Sequence, residues 1–66
     1  MNVNKLRGKM VELGVNVETL AEMIGVDRSS LYRKLNNSEK VTIGEAKRIK
    51  AALALTDEEA SAIFLP

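Results

Sequence analysis

The sequence predicts an all-α fold, in which five short helices form one compact domain over residues 1–66. Apolar residues recur at helical spacing in five segments, whereas β-branched residues do not alternate along any run, so there is no strand signal. Capping residues or glycines stand at the segment boundaries. The content of 45% hydrophobic and 29% charged residues is typical of a globular domain.

Composition limits the kinds of chemistry that we expect. The chain has no Cys and no His, so we predict no disulfide, no metal site of ordinary type and no cofactor. There is no Gly-rich phosphate loop and no evident pair of carboxylates, so we do not expect an enzyme. A chain this short buries only about 60% of its unfolded surface. Its stability must therefore come from tightly packed helices or from association with another chain.

The sequence also predicts where the protein resides. The longest apolar run is far too short to span a bilayer, and no signal peptide is visible. We therefore expect a cytoplasmic protein with no membrane partner.

The first helix is predicted from about Asn4 to Leu13. Asn4 is expected to cap its start, and Gly14 to end it in a left-handed conformation. Leu6, Met10 and Leu13 share one face by their spacing and are expected to be buried.

The second helix is predicted from about Val17 to Ile24, with Asn16 as its N-cap. Its inner face includes Ala21, whose small side chain indicates a close crossing with the next helix; a larger residue there would destabilise the fold by roughly 1–3 kcal/mol. Gly25 is expected to supply a turn with positive φ, and Val26 is expected to point inward.

The third helix is predicted from about Arg28 to Leu35, with Asp27 as its N-cap. Leu31 and Leu35 form its buried stripe. The opposite face carries four polar or aromatic side chains: Arg28, Ser29, Tyr32 and Arg33.

The last two helices each begin with a predicted capping box. The fourth runs from about Ile43 to Leu53 after a polar loop at residues 36–40, and Thr42 and Glu45 form its box. Thr56 and Glu59 form the box of the fifth. The apolar ending at residues 63–65 has two open interpretations, closure of the core or a dimer surface.

Two short helices joined by a turn that contains Gly predict a helix-turn-helix. In its DNA-binding version, the second helix enters the major groove with its N-terminal residues at the base edges. The charge distribution agrees: residues 1–50 hold all ten basic and six acidic side chains, while residues 51–66 hold three acidic and no basic ones. The alternative explanation is that acidic residues are simply favoured at the start of the last helix.

The chain resembles the Cro/repressor family of phage and prophage helix-turn-helix regulators. The matching residues are Gly14, Leu20-Ala21, Ile24-Gly25-Val26, Ser30-Leu31 and Leu35, and the stretch VTIGEAKRIKAALALTDEE with its apolar ending is similar to short prophage members. The resemblance extends from Leu6 to Leu65. Two positions depart from the pattern: Val17 stands where many members have Gln, and Asp27 where Ser or Thr is common.

The resemblance implies a lambda-repressor-like domain that regulates transcription by binding double-stranded operator DNA, as a homodimer at least on DNA. Because the sequence shows no second domain, we expect a Cro-like member of this family. Arg28, Ser29, Tyr32 and Arg33 are the expected base-reading residues, and Arg is suited to guanine. The expected contacts to the DNA backbone come from Asn16, Lys34, Asn36, Asn37, Lys40 and Thr42. For both sets the alternative is an ordinary solvated surface.

A second hypothesis is a protein-interaction module. Short prophage proteins of this kind can bind and modulate a partner repressor, and an antitoxin role belongs to the same class. The exposed face of the third helix would then contact an acidic protein surface. A steep salt dependence of DNA binding would distinguish the two hypotheses, because several phosphate contacts require one.

Overall fold

The computed structural model describes residues 1–37 and 40–66, and these contain five helices. The helices are α1 (Val3–Leu13), α2 (Val17–Ile24), α3 (Arg28–Asn36), α4 (Ile43–Ala52) and α5 (Asp57–Phe64). The predicted all-α architecture is confirmed. None of these helices has the length and apolar character that crossing a bilayer requires.

Most of the predicted helix starts are confirmed by their capping geometry. The side chains of Asn16 and Asp27 accept hydrogen bonds from backbone N–H groups in the first turns of α2 and α3. Thr42 and Thr56 each form a complete capping box with the glutamate three residues later. These caps satisfy donors that a helix start leaves without partners inside the helix.

The start of α1 was predicted two residues too late. Asn2, not Asn4, is the N-cap: its Oδ1 accepts a hydrogen bond of 3.1 Å from the N–H of Lys5. The backbone N–H of Asn2 also donates to the carbonyl of Ile63, which ties the N-terminus to α5. Asn4 therefore lies inside the helix and is exposed.

The predicted burial of Leu13 was also wrong, since this residue is 45% exposed. Leu13 is the last residue of α1, and Gly14 follows it in the left-handed region with φ of 69°. The chain then reverses, and the N–H of Val15 donates to the carbonyl of Met10. Val15 packs against the core after this turn.

The buried core draws on all five helices and on the turn before α5. Leu6, Leu20 and Ile49 are fully buried, and the remaining members are Met10, Val17, Ala21, Ile24, Leu31, Leu35, Leu53, Leu55 and Ile63. Helix α2 packs against both α3 and α4, while α5 packs against α1 and α4. The α2–α3 pair is thus held to the rest of the fold mainly through α4.

Smaller differences from prediction occur at the ends of α3 and α4. Helix α3 continues to Asn36, and α4 ends at Ala52 with Leu53 as its C-cap. Ala46 on α4 is half-buried. In the turn between α4 and α5, Ala54 has φ of 50°, a value that few non-glycine residues adopt.

Candidate nucleic-acid interface

Helices α2 and α3 are joined by a turn of three residues, Gly25 to Asp27. Gly25 has φ of 73°, as predicted, which a residue with a Cβ would adopt only with strain. The N–H of Val26 donates to the carbonyl of Ala21 at 3.0 Å, and the Val26 side chain packs against the core. The turn therefore has a fixed conformation, and it sets the direction in which α3 leaves α2.

The Asp27 carboxylate begins α3 by accepting hydrogen bonds from two backbone N–H groups. Its Oδ2 lies 3.0 Å from the nitrogen of Ser29 and 3.3 Å from that of Ser30. A negative charge at this position is favourable because it lies at the positive end of the helix dipole. The same charge lies beside the residues that were predicted to read bases.

The four predicted base-reading residues lie together on the exposed side of α3. Arg28 and Tyr32 are one helical turn apart, as are Ser29 and Arg33, and all four are exposed. Leu31 and Leu35, each 2% exposed, hold the opposite side in the core. The helix thus presents a continuous polar face while its other face is anchored.

Arg28 is partly neutralised by an acidic residue of α2. One of its guanidinium nitrogens lies 3.5 Å from a carboxylate oxygen of Glu18, and both side chains are about 60% exposed. An ion pair this exposed is worth about 0–1 kcal/mol. The guanidinium can therefore exchange Glu18 for another acceptor at little cost in free energy.

Lys34 forms a close ion pair with an acidic residue of α4. Its Nζ lies 2.6 Å and 2.8 Å from the two carboxylate oxygens of Glu45 on α4. The side chains are only 20% and 12% exposed. The hydrogen bond from Lys34, followed by that from the N–H of Thr42, lowers the pKa of the Glu45 carboxyl. Lys34 thus joins α3 to α4.

The other residues predicted to contact the DNA backbone lie at helix ends. The side-chain oxygens of Asn16 and Thr42 accept capping bonds from Thr19 and Glu45, which leaves the Asn16 amide nitrogen and the Thr42 hydroxyl hydrogen as donors. At the end of α3, Asn36 accepts a hydrogen bond of 3.0 Å from Arg7 on α1.

Asn37 is the C-cap of α3, and both Asn37 and Lys40 are exposed. The predicted polar loop also includes Ser38 and Glu39, which lie outside the described residues.

Arg48 has a structural position that its sequence context did not predict. Its Nη1 donates to the carbonyl of Ile24, the last residue of α2, at 3.0 Å, and its Nε donates to the carbonyl of Gly44 at 3.3 Å. On the same helix, Glu45 accepts from Lys34, and Lys50 pairs with Asp57. No local sequence signal connects Arg48 to a residue 24 positions earlier.

Comparisons with models of protein families, with curated proteins and with solved structures give no match. Among the described residues, no three His, Cys, Asp or Glu side chains form a group that could hold a metal ion.

Proposed function

We propose that the protein is a sequence-specific DNA-binding regulator of transcription, a Cro-like helix-turn-helix protein of the phage and prophage type. The observation that carries the proposal is the exposed face of α3, where two arginines, a serine and a tyrosine lie together opposite a buried leucine stripe. The three-residue turn before α3 and its packing on α2 support the same assignment.

In this proposal α3 lies in the major groove of the operator. Arg28 and Arg33 each offer a planar fork of donors that matches the O6 and N7 acceptors of guanine, a pairing worth about 1–3 kcal/mol of discrimination. Ser29 donates to a base or a phosphate. Tyr32, which is 46% exposed, places its ring against a thymine methyl group or its hydroxyl on a phosphate.

Contacts to the DNA backbone then fix the position of α3 without reading sequence directly. The start of α2 at Asn16 and the start of α4 at Thr42 offer side-chain donors together with helix N-termini, which favour phosphate. Asn36, Asn37 and Lys40 flank the end of α3. Lys34 is the weakest member of the predicted set, because binding a phosphate requires it to leave Glu45.

Charge supports a second candidate function, binding to a partner protein such as a repressor. Residues 16–37 carry three acidic and three basic side chains, so the α2–α3 unit has no net positive charge. Glu18 lies beside Arg28, and Glu45 neutralises Lys34. A surface with balanced charges suits a protein partner as well as DNA, and non-specific DNA binding through it would be weak.

Selection of bound sequences from a random duplex pool tests the proposal. We expect a consensus site, and we expect the affinity for that site to fall steeply with salt. The matched variants are Arg33→Ala on the exposed face of α3 and Lys47→Ala on α4; only the first should change the selected bases. DNA reading would be overturned in favour of the second candidate by two results together. The wild-type chain would select no consensus site, and it would capture a repressor protein that the Arg33→Ala variant does not capture.

A further inference from the structure

A groove on the surface between α4 and α5 has an apolar floor. Five apolar residues line the same cavity of about 380 Å³, namely Ile43, Ala46, Ala60, Phe64 and Leu65. Ile43 begins α4 and Phe64 ends α5, so the two helices run in opposite directions along the groove. A second cavity of about 480 Å³ continues the groove toward Val41.

The floor of this α4–α5 groove combines large exposed side chains at one end with small ones in its middle. Ile43 is 78% exposed and Leu65 is 79% exposed, while Ala46 and Ala60 are half-buried. The short alanine side chains leave room for apolar side chains of a partner. A contiguous exposed apolar patch with polar residues at its edge marks an interaction site.

The edge of the groove along α4 is basic. Among the described residues that line the two cavities, the basic side chains are Lys40, Lys47 and Lys50, and the only acidic one is Asp57. Asp57 pairs with Lys50, whereas Lys47 is exposed and forms no ion pair within the described part of the chain. The groove therefore carries positive charge that its own described residues do not neutralise.

The groove and the helix-turn-helix unit lie on different faces of α4. Glu45 and Arg48, which bind α3 and α2, lie opposite Ile43 and Lys47 at 3.6 residues per turn. An occupant of the groove would therefore leave the exposed face of α3 free.

We propose that the α4–α5 groove binds an amphipathic helix of another protein, with acidic residues on the flank that faces α4. A helix in an apolar groove places apolar anchors at i, i+3, i+4 and i+7, and these pack on Ile43, Phe64 and Leu65 and over the two alanines. Helix α4 has ten residues and is thus about 15 Å long, so about three turns of the partner fill the groove. Its carboxylates then meet Lys40, Lys47 and Lys50.

The charges and the shape of the groove select this occupant over three others. A nucleic-acid backbone suits the lysines but not the apolar floor, where phosphate would lose its hydration. A second copy of the chain, seated groove to groove, brings the same basic edge, and like charges in contact are unfavourable. A floor recessed between two helices fits the side chains of a third helix better than a flat bilayer.

Selection from a library of helical peptides tests the proposal. Each peptide has about four helical turns, with leucines at i, i+3, i+4 and i+7 and with Glu, Lys, Gln or Ser at random on both flanks. We expect the chain to select glutamates on one flank only. Fluorescence anisotropy of a selected peptide then measures its affinity for the variants.

Ile43→Ser should weaken binding of the selected peptide by about tenfold or more, as the loss of an anchoring apolar contact does. Val11→Ser is the matched control, because Val11 is 80% exposed on α1, away from the groove, and it should bind the peptide as the wild type does. Both positions are exposed, so circular dichroism should show that the variants keep their helices.

Two charge variants test the acidic flank. Lys47→Glu should remove the preference for glutamate and weaken the selected peptide by about two- to fivefold. Lys5→Glu makes the same change in net charge at an exposed position of α1, and it should select the same peptides as the wild type.

The proposal is independent of DNA binding and can fail separately from it. Arg33→Ala should leave peptide binding unchanged, and Ile43→Ser should leave any selected DNA consensus unchanged. A library without a preferred flank, or a selected peptide that Arg33→Ala no longer binds, would overturn the acidic helix as occupant of the groove. So would a wild-type chain that uses Ile43 to bind phosphatidylglycerol vesicles or a second copy and selects no peptide.

Discussion

Arg48 Nη1 lies 3.0 Å from the carbonyl oxygen of Ile24, so a side chain of α4 holds the last turn of α2. A cation at this end of a helix is favoured, because the carbonyls there carry the negative end of the helix dipole. Helix α4 also contacts α3, because its Glu45 binds Lys34 of that helix. Helix α4 therefore holds both α2 and α3, and with them the angle at which α3 is presented.

Arg48→Met should lower the free energy of unfolding by about 0.5–1.5 kcal/mol, because it removes this hydrogen bond and keeps most of the aliphatic stem. Urea unfolding measures the change. Lys47→Met is the matched control, since Lys47 is an exposed neighbour on the same helix, and it should leave stability nearly unchanged. Equal effects of the two variants would mean that the bond to Ile24 does not contribute.

Glu45→Gln should destabilise the fold by about 1–2 kcal/mol at neutral pH. Gln preserves the capping box, so the variant isolates the loss of the ion pair with Lys34. The folded-state pKa of Glu45 is lowered from its ordinary value of 4.5, so its stabilisation is complete above that value and disappears as the pH falls through the folded pKa. The difference between wild type and variant should therefore close below pH 4.5.

Glu59→Gln is the control for the loss of stability in Glu45→Gln, because it changes the same position of the second capping box. Glu59 pairs with Lys9 but its side chain is 38% exposed, so its substitution should matter less. A constant difference between wild type and Glu45→Gln from neutral to acidic pH would contradict the pKa argument.

Ala21→Leu should lower the melting temperature, with a loss of roughly 1–3 kcal/mol of stability. Ala21 is 2% exposed on α2, the helix that packs against both α3 and α4, so a larger side chain there must push helices apart. Ala51→Leu is the control, because Ala51 is exposed on α4 and has room for the added atoms. Identical melting curves for wild type and Ala21→Leu would show that the crossing tolerates bulk.

If the protein binds DNA as proposed, Glu18→Gln should strengthen that binding by about two- to fivefold, because the variant releases Arg28 from a weak surface pair and removes a negative charge beside the proposed base-reading face. Fluorescence anisotropy with a labelled duplex measures the change. The gain should shrink in an Arg28→Ala background, and Glu12→Gln on α1 should have no effect. If Glu18→Gln increased the affinity for DNA equally in the wild-type and Arg28→Ala backgrounds, the increase would not come from breaking the ion pair.

Arg33→Ala and Lys40→Ala should affect DNA binding in different ways. Arg33 lies on the exposed face of α3, so its loss should relax the preference at one base pair, by roughly 1–3 kcal/mol on the cognate site. Lys40 lies between α3 and α4, so its loss should weaken all duplexes alike and reduce the salt slope by about one. Competition binding at several salt concentrations measures both. An unchanged preference in Arg33→Ala would contradict base reading by α3.

The helices could be predicted from the sequence because their signals are local. The N-caps at Asn16, Asp27, Thr42 and Thr56 each lie within three residues of the N–H groups they bind. The predicted start of α1 was wrong for the same reason, because Asn2 and Asn4 offer equal local signals. In the fold Asn2 is the cap, and its backbone N–H also donates to the carbonyl of Ile63, a contact that the local sequence does not indicate.

The polar face of α3 was also predictable, since it follows from helical spacing opposite Leu31 and Leu35. The partners of Lys34 and Arg48 could not be predicted, because tertiary packing determines them. Lys34 and Glu45 are 11 residues apart in the chain, and Arg48 and Ile24 are 24 apart. Flexible charged side chains have many acceptors within reach in an unfolded chain, so their pairing appears only once the helices are placed.

The two capping boxes share a further property, which concerns cooperativity. In each, one glutamate accepts a hydrogen bond from the backbone of its own helix start and also from a lysine on a different helix: Glu45 from Lys34 of α3, and Glu59 from Lys9 of α1. The first turn of a helix ordinarily frays without disturbing its neighbours. Here, fraying of α4 or α5 at its start also releases a contact between helices. Local opening and separation of the helices are thereby coupled, so a chain of 66 residues has fewer partly folded states open to it.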